Sequence, residues 1–419
     1  MGIRKLFTFL DNKKIFEKHS YLDEIIKNLG INKNKFIIAV DGNLYCYKYS
    51  YSYDDMIIGF YNQILKFFSK NIIPLYIFDG GVVKEKESTN INRNKKININ
   101  KEKINKLDEH DNNFNDMEII KKKLEKKSIK ITNFNLKPLL ELFDLMNIPF
   151  IFSHCEGEYL AVLLNKLGIV DMFLTDDTDP IPAGINNIVK FYKNSVYFLN
   201  YGDMLKSLEL TKSEFIDFCI LMGCDYNNFF HKINSNELYE NIKKYHSIEN
   251  MIEYYTNNSE TDENNDDTND ELFTDEYDGN AIISTKLLIC DHITIDNVNK
   301  IRNIYNNLYN YERESFINLH SELNFDINEI VNHDDLSNYS NIMLEHWEEF
   351  IEILKINNYE KNENSENFKK HINNFIKNKK FNINEILKFM RKNVKNISDE
   401  EIDNISITFK YLNEFGITS

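Results

Sequence analysis

Acidic residues set at the ends of short apolar runs constrain this chain more than any other feature. FIIAV at 36–40 is followed by Asp41, PLYIF at 74–78 by Asp79, and DMFLT at 171–175 by Asp177 and Asp179. PFIF at 149–152 is followed by Glu156 and Glu158. Runs this short, apolar throughout and bounded by turn or acidic residues, read as strands buried on both faces. Helical patterns lie between them, at 56–68, at 136–146 and in EYLAVLLNKLG, which ends on the stop residue Gly168. Strands alternating with helices predict an α/β fold with a mostly parallel central sheet flanked by helices. Further on, Thr211 and Glu214 have the spacing of a capping box, opening a helix that Gly223 closes.

Open sheets of this kind bind ligands beyond the carboxyl ends of their strands. Asp225, in GCDY, makes a seventh acid there if its turn folds back to the same edge. Each acid alone has a bland role: Asp41 as a helix cap, Asp79 in an Asp-Gly-Gly turn, Glu156 and Glu158 as partners of a helix dipole. Residues two apart do not share a face of a regular helix, so Glu156 and Glu158 converge only if the first lies at an irregular helix start. Taken together, crowded carboxylates raise one another's pKa unless cations neutralise them. An oxygen-only set selects Mg²⁺, with Mn²⁺ as substitute, over zinc. Two such ions, about 3.5–4 Å apart, support hydrolysis of a phosphodiester by water. His154 has no second histidine to make a ligand pair and reads as structural.

The net charge of -16 argues against coating nucleic acid by bulk attraction, so an anionic partner must be held locally. A polar insertion at 84–130 interrupts the strand-helix alternation. Its part from 84 to 106 carries eight Lys/Arg against three Glu, a local +5 and the first sign of an anion-binding element, with a solvated helical excursion as the plain alternative. From Ser259 to Asp278 there are ten acidic residues and no Lys or Arg, the composition of a disordered linker. Residues 281–419 read as mainly helical, with Trp347 as a packing anchor. The cysteines, five in number, are scattered, which predicts reduced, packed thiols and neither disulfides nor zinc. No run reaches the ~20 apolar residues of a membrane span, and the start lacks a signal peptide's apolar block. Leu6 stands where a myristoylation signal needs Ser or Thr. A soluble, intracellular protein without membrane partners is expected.

The segments MGI, AVDGNLYCYKY, PLYIFDGG, MNIPFIFSHCEGEYLAVLL, FLTDDTDPIPAG and FIDFCILMGCDY resemble the flap endonuclease family of structure-specific 5′ nucleases, which includes the XPG-type repair nucleases. The resemblance covers most of 1–255. It implies a PIN-like nuclease core at 1–255 with 84–130 as a basic arch, after which the composition predicts an acidic linker at 256–280. A helical region at 281–419 follows, of which 380–419 returns to the core. All seven acids, Asp41, Asp79, Glu156, Glu158, Asp177, Asp179 and Asp225, match the family's two-metal positions. Lys86 and Arg93 match the Lys and Arg of the arch that assist the reaction, and their spacing of seven puts both on one helical face. Tyr47 matches an aromatic residue that stacks on a base, and Gly2 belongs to the amino-terminal segment near the metals.

Two departures are visible. After GCDY the family carries a glycine-rich hairpin that holds duplex and a potassium ion, whereas this chain has Lys232 and Asn234 at those positions. Altered duplex binding without that potassium site is expected. Residues 256–380 have no family counterpart. There is no sliding-clamp box or compact nuclear signal, which with the AT-rich composition fits relatives encoded by large cytoplasmic DNA viruses. That origin implies the host cytoplasm, any other the nucleus. The reading is a divalent-metal-dependent 5′ nuclease acting on branched or flap DNA in replication, repair or recombination. Its rivals are an RNA-directed 5′ exonuclease on the same scaffold and a catalytically silent junction-binding factor.

Overall fold

A computed structural model describes residues 2–31, 36–52, 55–80, 86–108, 114–131, 133–226, 234–257, 294–322, 343–355, 363–377 and 380–415. Seven strands lie among them: β1 (Glu17–His19), β2 (Ile37–Asp41), β3 (Ile73–Phe78), β4 (Phe150–Phe152), β5 (Met172–Leu174), β6 (Asn187–Tyr192) and β7 (Ser195–Asn200). The chain divides into two compact units, one formed by Leu22–Leu174 with Glu312–Ser419, the other by Met1–Tyr21 with Thr175–Tyr311.

In the first unit β5, β2, β3 and β4 run parallel in that order, with Val40 opposite both Tyr76 and Leu174 and Asp41 opposite Ile77. All of β3 and β5 is buried, as is β2 up to Val40, which is why these strands read as unbroken apolar runs. The Asp171 carboxylate accepts the Ile37 N–H at the start of β2, 2.9 Å away, and its other oxygen pairs with Lys369 at 2.6 Å. On the sheet, the helix Met56–Phe68 is capped by Asp55, whose side chain accepts from Ile57 N. Its Phe60 packs with Tyr76 and Phe143, the last from the helix Asn133–Leu145. The late helices Ile383–Asn393 and Asp399–Phe415 belong to this unit as well. Phe409 meets Tyr61, Phe381 meets Phe68, and Lys395 N donates to Asp55.

In the second unit β1, β7 and β6 are antiparallel. Only Lys193 and Asn194 join β6 to β7, a link too short for the crossover that parallel pairing needs, and Lys193 takes a left-handed φ of 53°. The sheet strands are thus mixed, a hairpin accompanying the parallel set. The capping box at Thr211 and Glu214 is formed on the helix Lys212–Met222. The Asp217 carboxylate of this helix and Glu249 both accept from Arg302, carried on the helix Ile295–Glu322.

Asn234 caps the helix Ser235–Tyr245, its side chain accepting from Asn236 N and Glu237 N. Lys232, the acidic stretch 259–278 and Cys290 lie outside the described residues, as does the side chain of Trp347. The other four cysteines are buried free thiols. Among the described residues no helix is long and apolar enough to cross a membrane.

Candidate functional site

The parallel strands of the first unit deliver four of the seven acids. Asp41 is the last residue of β2, and its Oδ1 accepts the Leu44 N–H at 2.9 Å, so it also starts the helix Gly42–Ser52. Asp79 follows β3 directly. Its Oδ1 accepts from Gly157 N at 2.8 Å and its Oδ2 from Asn43 Nδ2 at 2.5 Å. Although the residue as a whole is exposed, its carboxyl is crowded by protein: burial pushes it up to about 6, the Glu156 charge adds to this, and the Gly157 N–H, Lys86 and Asn43 oppose it.

Glu156 and Glu158 meet on one cation. Glu156 is the N-cap of the helix Gly157–Lys166, with extended backbone at φ -115° and ψ 128°, while Glu158 lies in the first turn. That break in helical geometry turns both carboxylates the same way, as their spacing of two requires. Lys86 Nζ bonds Glu156 Oε2 and, at 2.8 Å, Glu158 Oε1. The three side chains are 9%, 13% and 10% exposed, so this is a nearly buried ion triad. An ammonium held by two carboxylates shows that this spot accepts a cation, and the oxygen-only acids around it suit a hard divalent ion.

Lys86 immediately precedes the helix Glu87–Asp108, which packs on the helix Phe114–Lys127. These two helices form most of the basic insertion, and Lys126 Nζ ties the second to the Tyr51 carbonyl at 2.6 Å. Arg93 lies on the first helix, its side chain outside the described set. Tyr47 is half-buried on the helix Gly42–Ser52, the helix that Asp41 caps and that supplies Asn43 to Asp79.

In the second unit the amino-terminal segment gathers the remaining acids. Ile3 N donates to Thr178 Oγ1 at 2.9 Å, and Arg4 N to the Gly223 carbonyl at 3.0 Å. Asp177 and Asp179 flank Thr178, and Asp225 lies two residues past Gly223. A Cβ on Gly2 would fall 2.0 Å from Asp177 Oδ1, and φ at Gly2 is +77°, so only glycine fits there. Asp177 Oδ1 accepts from Thr178 N and Asp179 N. Asp179 is fully buried, Asp225 half-buried, and one carboxylate oxygen of Asp177 lies within 4.8 Å of one of Asp179.

Two residues at the first unit's strand ends escape sequence reading. Asn43 had the signal of its place two residues after Asp41. Glu312 had none: it is fully buried, accepting from the backbone of His154 and Cys155 across more than 150 residues of chain. His154 itself is packed edge-on against Phe316, with burial lowering its pKa, in keeping with a structural role.

Comparison with known proteins agrees with this architecture. The XPG I-region family model matches residues 147–225, the stretch holding five of the seven acids. A probable RAD2-like endonuclease of Invertebrate iridescent virus 6 is 28% identical over 318 residues, covering 62% of this chain and 75% of that protein. A flap endonuclease of Paramecium tetraurelia is 30% identical over 213 residues, covering 50% of this chain and 53% of its own. The solved catalytic core of Rad2 in complex with DNA substrate shares the fold, with a TM-score of 0.56 at 19% identity over 97% of this chain and 100% of that one. The sheet with its strand-end acids has the PIN-like fold of these nucleases. Within that class, the chain is similar to the XPG-type and flap endonucleases.

Proposed function

We propose that this protein is a divalent-metal-dependent, structure-specific 5′ nuclease that hydrolyses phosphodiester bonds in branched or flap DNA. The observation that carries the reading is the Glu156–Lys86–Glu158 triad beside Asp79, a cation-holding acidic centre at the carboxyl ends of parallel strands. Asp41, Asp79, Glu156 and Glu158 on one unit, and Asp177, Asp179 and Asp225 on the other, are assigned as ligands of Mg²⁺, directly or through water. Bound divalent ions supply an activated water and neutralise charge on the phosphate.

The protein's own groups do the rest. Asn43 and the Gly157 N–H hold the Asp79 carboxylate as an acceptor-only group. Lys86 neutralises the glutamates in the free protein and, once released from them, is assigned with Arg93 to the phosphate. Tyr47 offers a stacking face, and Gly2 lets the amino terminus lie against Asp177. The helices Glu87–Asp108 and Phe114–Lys127 serve as the basic arch, supplying the local attraction that a chain of net charge -16 otherwise lacks. Products carry a 5′ phosphate and a 3′ hydroxyl.

The test is cleavage of a labelled 5′-flap duplex with Mg²⁺ or with EDTA, beside blunt duplex, single strand and an RNA flap. Metal-dependent incision near the DNA junction is expected. Preference for the RNA flap would transfer the reading to an RNA-directed exonuclease, and binding without incision under Mg²⁺ and Mn²⁺ would leave a junction-binding factor.

A further inference from the structure

The turn 153–156 delivers Glu156 and Glu158, and it is gripped from two sides. On the sheet side Ser153 N donates to the Phe78 carbonyl at 2.9 Å, and Gly80 N to the Cys155 carbonyl at 3.2 Å. The approach leaves no room for a side chain: a Cβ on Gly80 would lie 1.7 Å from the Ser153 carbonyl oxygen. On the other side stands Glu312, on the helix Ile295–Glu322. Its Oε2 accepts from His154 N at 3.0 Å, and its Oε1 from Cys155 N at 2.9 Å and the Cys155 thiol at 2.6 Å. One turn further along the same helix, Phe316 meets the His154 ring edge-on at 4.4 Å.

A fully buried carboxylate is a costly way to attach a helix, since desolvation of the charge must be offset by good hydrogen bonds. An apolar contact would attach it at lower cost but leave two consecutive buried amides unpaired. What the carboxylate adds is orientation: two successive N–H groups are aimed at one planar acceptor, which sets the peptide planes leading into the extended Glu156. We infer that Glu312 is a positioning residue for the reaction, fixing the His154–Cys155 backbone so that Glu156 and Glu158 stand ready to bind metal. The inference rests on the assignment of those two glutamates as ligands. It gives a catalytic consequence to a residue of the segment 256–380, for which the sequence alone offered no family counterpart.

Outer groups that orient ligands cost about 10- to 100-fold in metal affinity or activity when changed. Glu312→Gln keeps the shape but presents an amide to one of the two N–H donors. Expected are a fall in kcat of about 10-fold or more on a 5′-flap duplex with KM little changed, and a fall of about 10-fold in Mn²⁺ affinity, read by paramagnetic resonance without DNA. Glu312→Asp, which keeps the charge, should recover part of both and carries the test if Glu312→Gln fails to fold. Phe350→Leu is the stability control: Phe350 is buried against Phe316 and has no polar group with which to bond the turn. It should lower the melting temperature with kcat and Mn²⁺ affinity intact. If Glu312→Gln behaves as Phe350→Leu does, losing stability alone, the positioning role is overturned. Glu156→Ala separates the two levels: full cleavage by it would overturn the ligand assignment itself. Its inactivity beside a fully active Glu312→Gln would overturn only the inference about Glu312.

Discussion

Replacing Lys86 by Met removes the ammonium between Glu156 and Glu158 while keeping the length of its stem. Breaking a buried ion pair from one side costs about 3–5 kcal/mol, because a charge is left without its partner. The triad side chains are 9–13% exposed, so some water reaches the orphaned acids and the lower end, about 3 kcal/mol, applies. At roughly 2 °C per kcal/mol for a domain of this size, the melting temperature in EDTA should fall by about 6 °C. A divalent ion added to the variant meets two carboxylates with no internal cation to displace. Its apparent affinity should therefore rise, by at least about tenfold and by no more than the roughly 150-fold that 3 kcal/mol represents. Saturating Mg²⁺ should then close the thermal gap, since 100 Kd of ligand contributes about 2.7 kcal/mol. The assay is thermal denaturation of both proteins across a Mg²⁺ titration, with calorimetric metal binding at the lowest salt. A gap that persists at saturating Mg²⁺, or a variant that binds the ion no more tightly than the parent, would refute the idea that Lys86 and the metal share these oxygens.

Asp177→Ala should lower flap cleavage by about 10³-fold or more while DNA binding in EDTA, followed by fluorescence anisotropy, stays within about twofold; undiminished turnover would remove Asp177 from the ligand set. The two acids on Arg302 carry opposite pH signs. The Arg302 guanidinium holds Glu249 below its usual 4.5, so its contribution is present above that value and lost as pH falls through the depressed folded pKa. Burial holds Asp217 above its usual range, so its ionisation costs stability as pH rises through the raised value. Glu249→Gln should therefore flatten the loss of stability below pH 4.5, measured as melting temperature from pH 3 to 6, and a parallel offset at every pH would contradict the assignment.

The parallel sheet was legible because its strands are buried on both faces and so carry unbroken apolar runs with an acid at each end. The hairpin of β6 and β7 was harder to read, because Lys193 and Asn194 lack the glycine that marks a tight turn. In the acidic centre, residue types and strand ends told which carboxylates to watch, but not that Glu156 would leave helical geometry and share Lys86 with Glu158. Charge counting found the basic insertion, yet could not say that Lys86, near its start, points inward. Glu312 was beyond reach for a different reason. Its partners are backbone amides, which every residue possesses, so no pattern of residue types marks them.

The bond between Glu312 and Cys155 spans 157 residues, and that between Lys369 and Asp171 spans 198. Ribosomes add about 5–20 residues per second, so roughly 8–30 s separate the appearance of the turn from the arrival of the carboxylate that completes it. During that interval the first strands and their acids are outside the ribosome, but the amides of His154 and Cys155 have only water to bond. The nascent chain thus emerges with its acids before its brace, so that the acidic centre is completed only after Glu312 has been made.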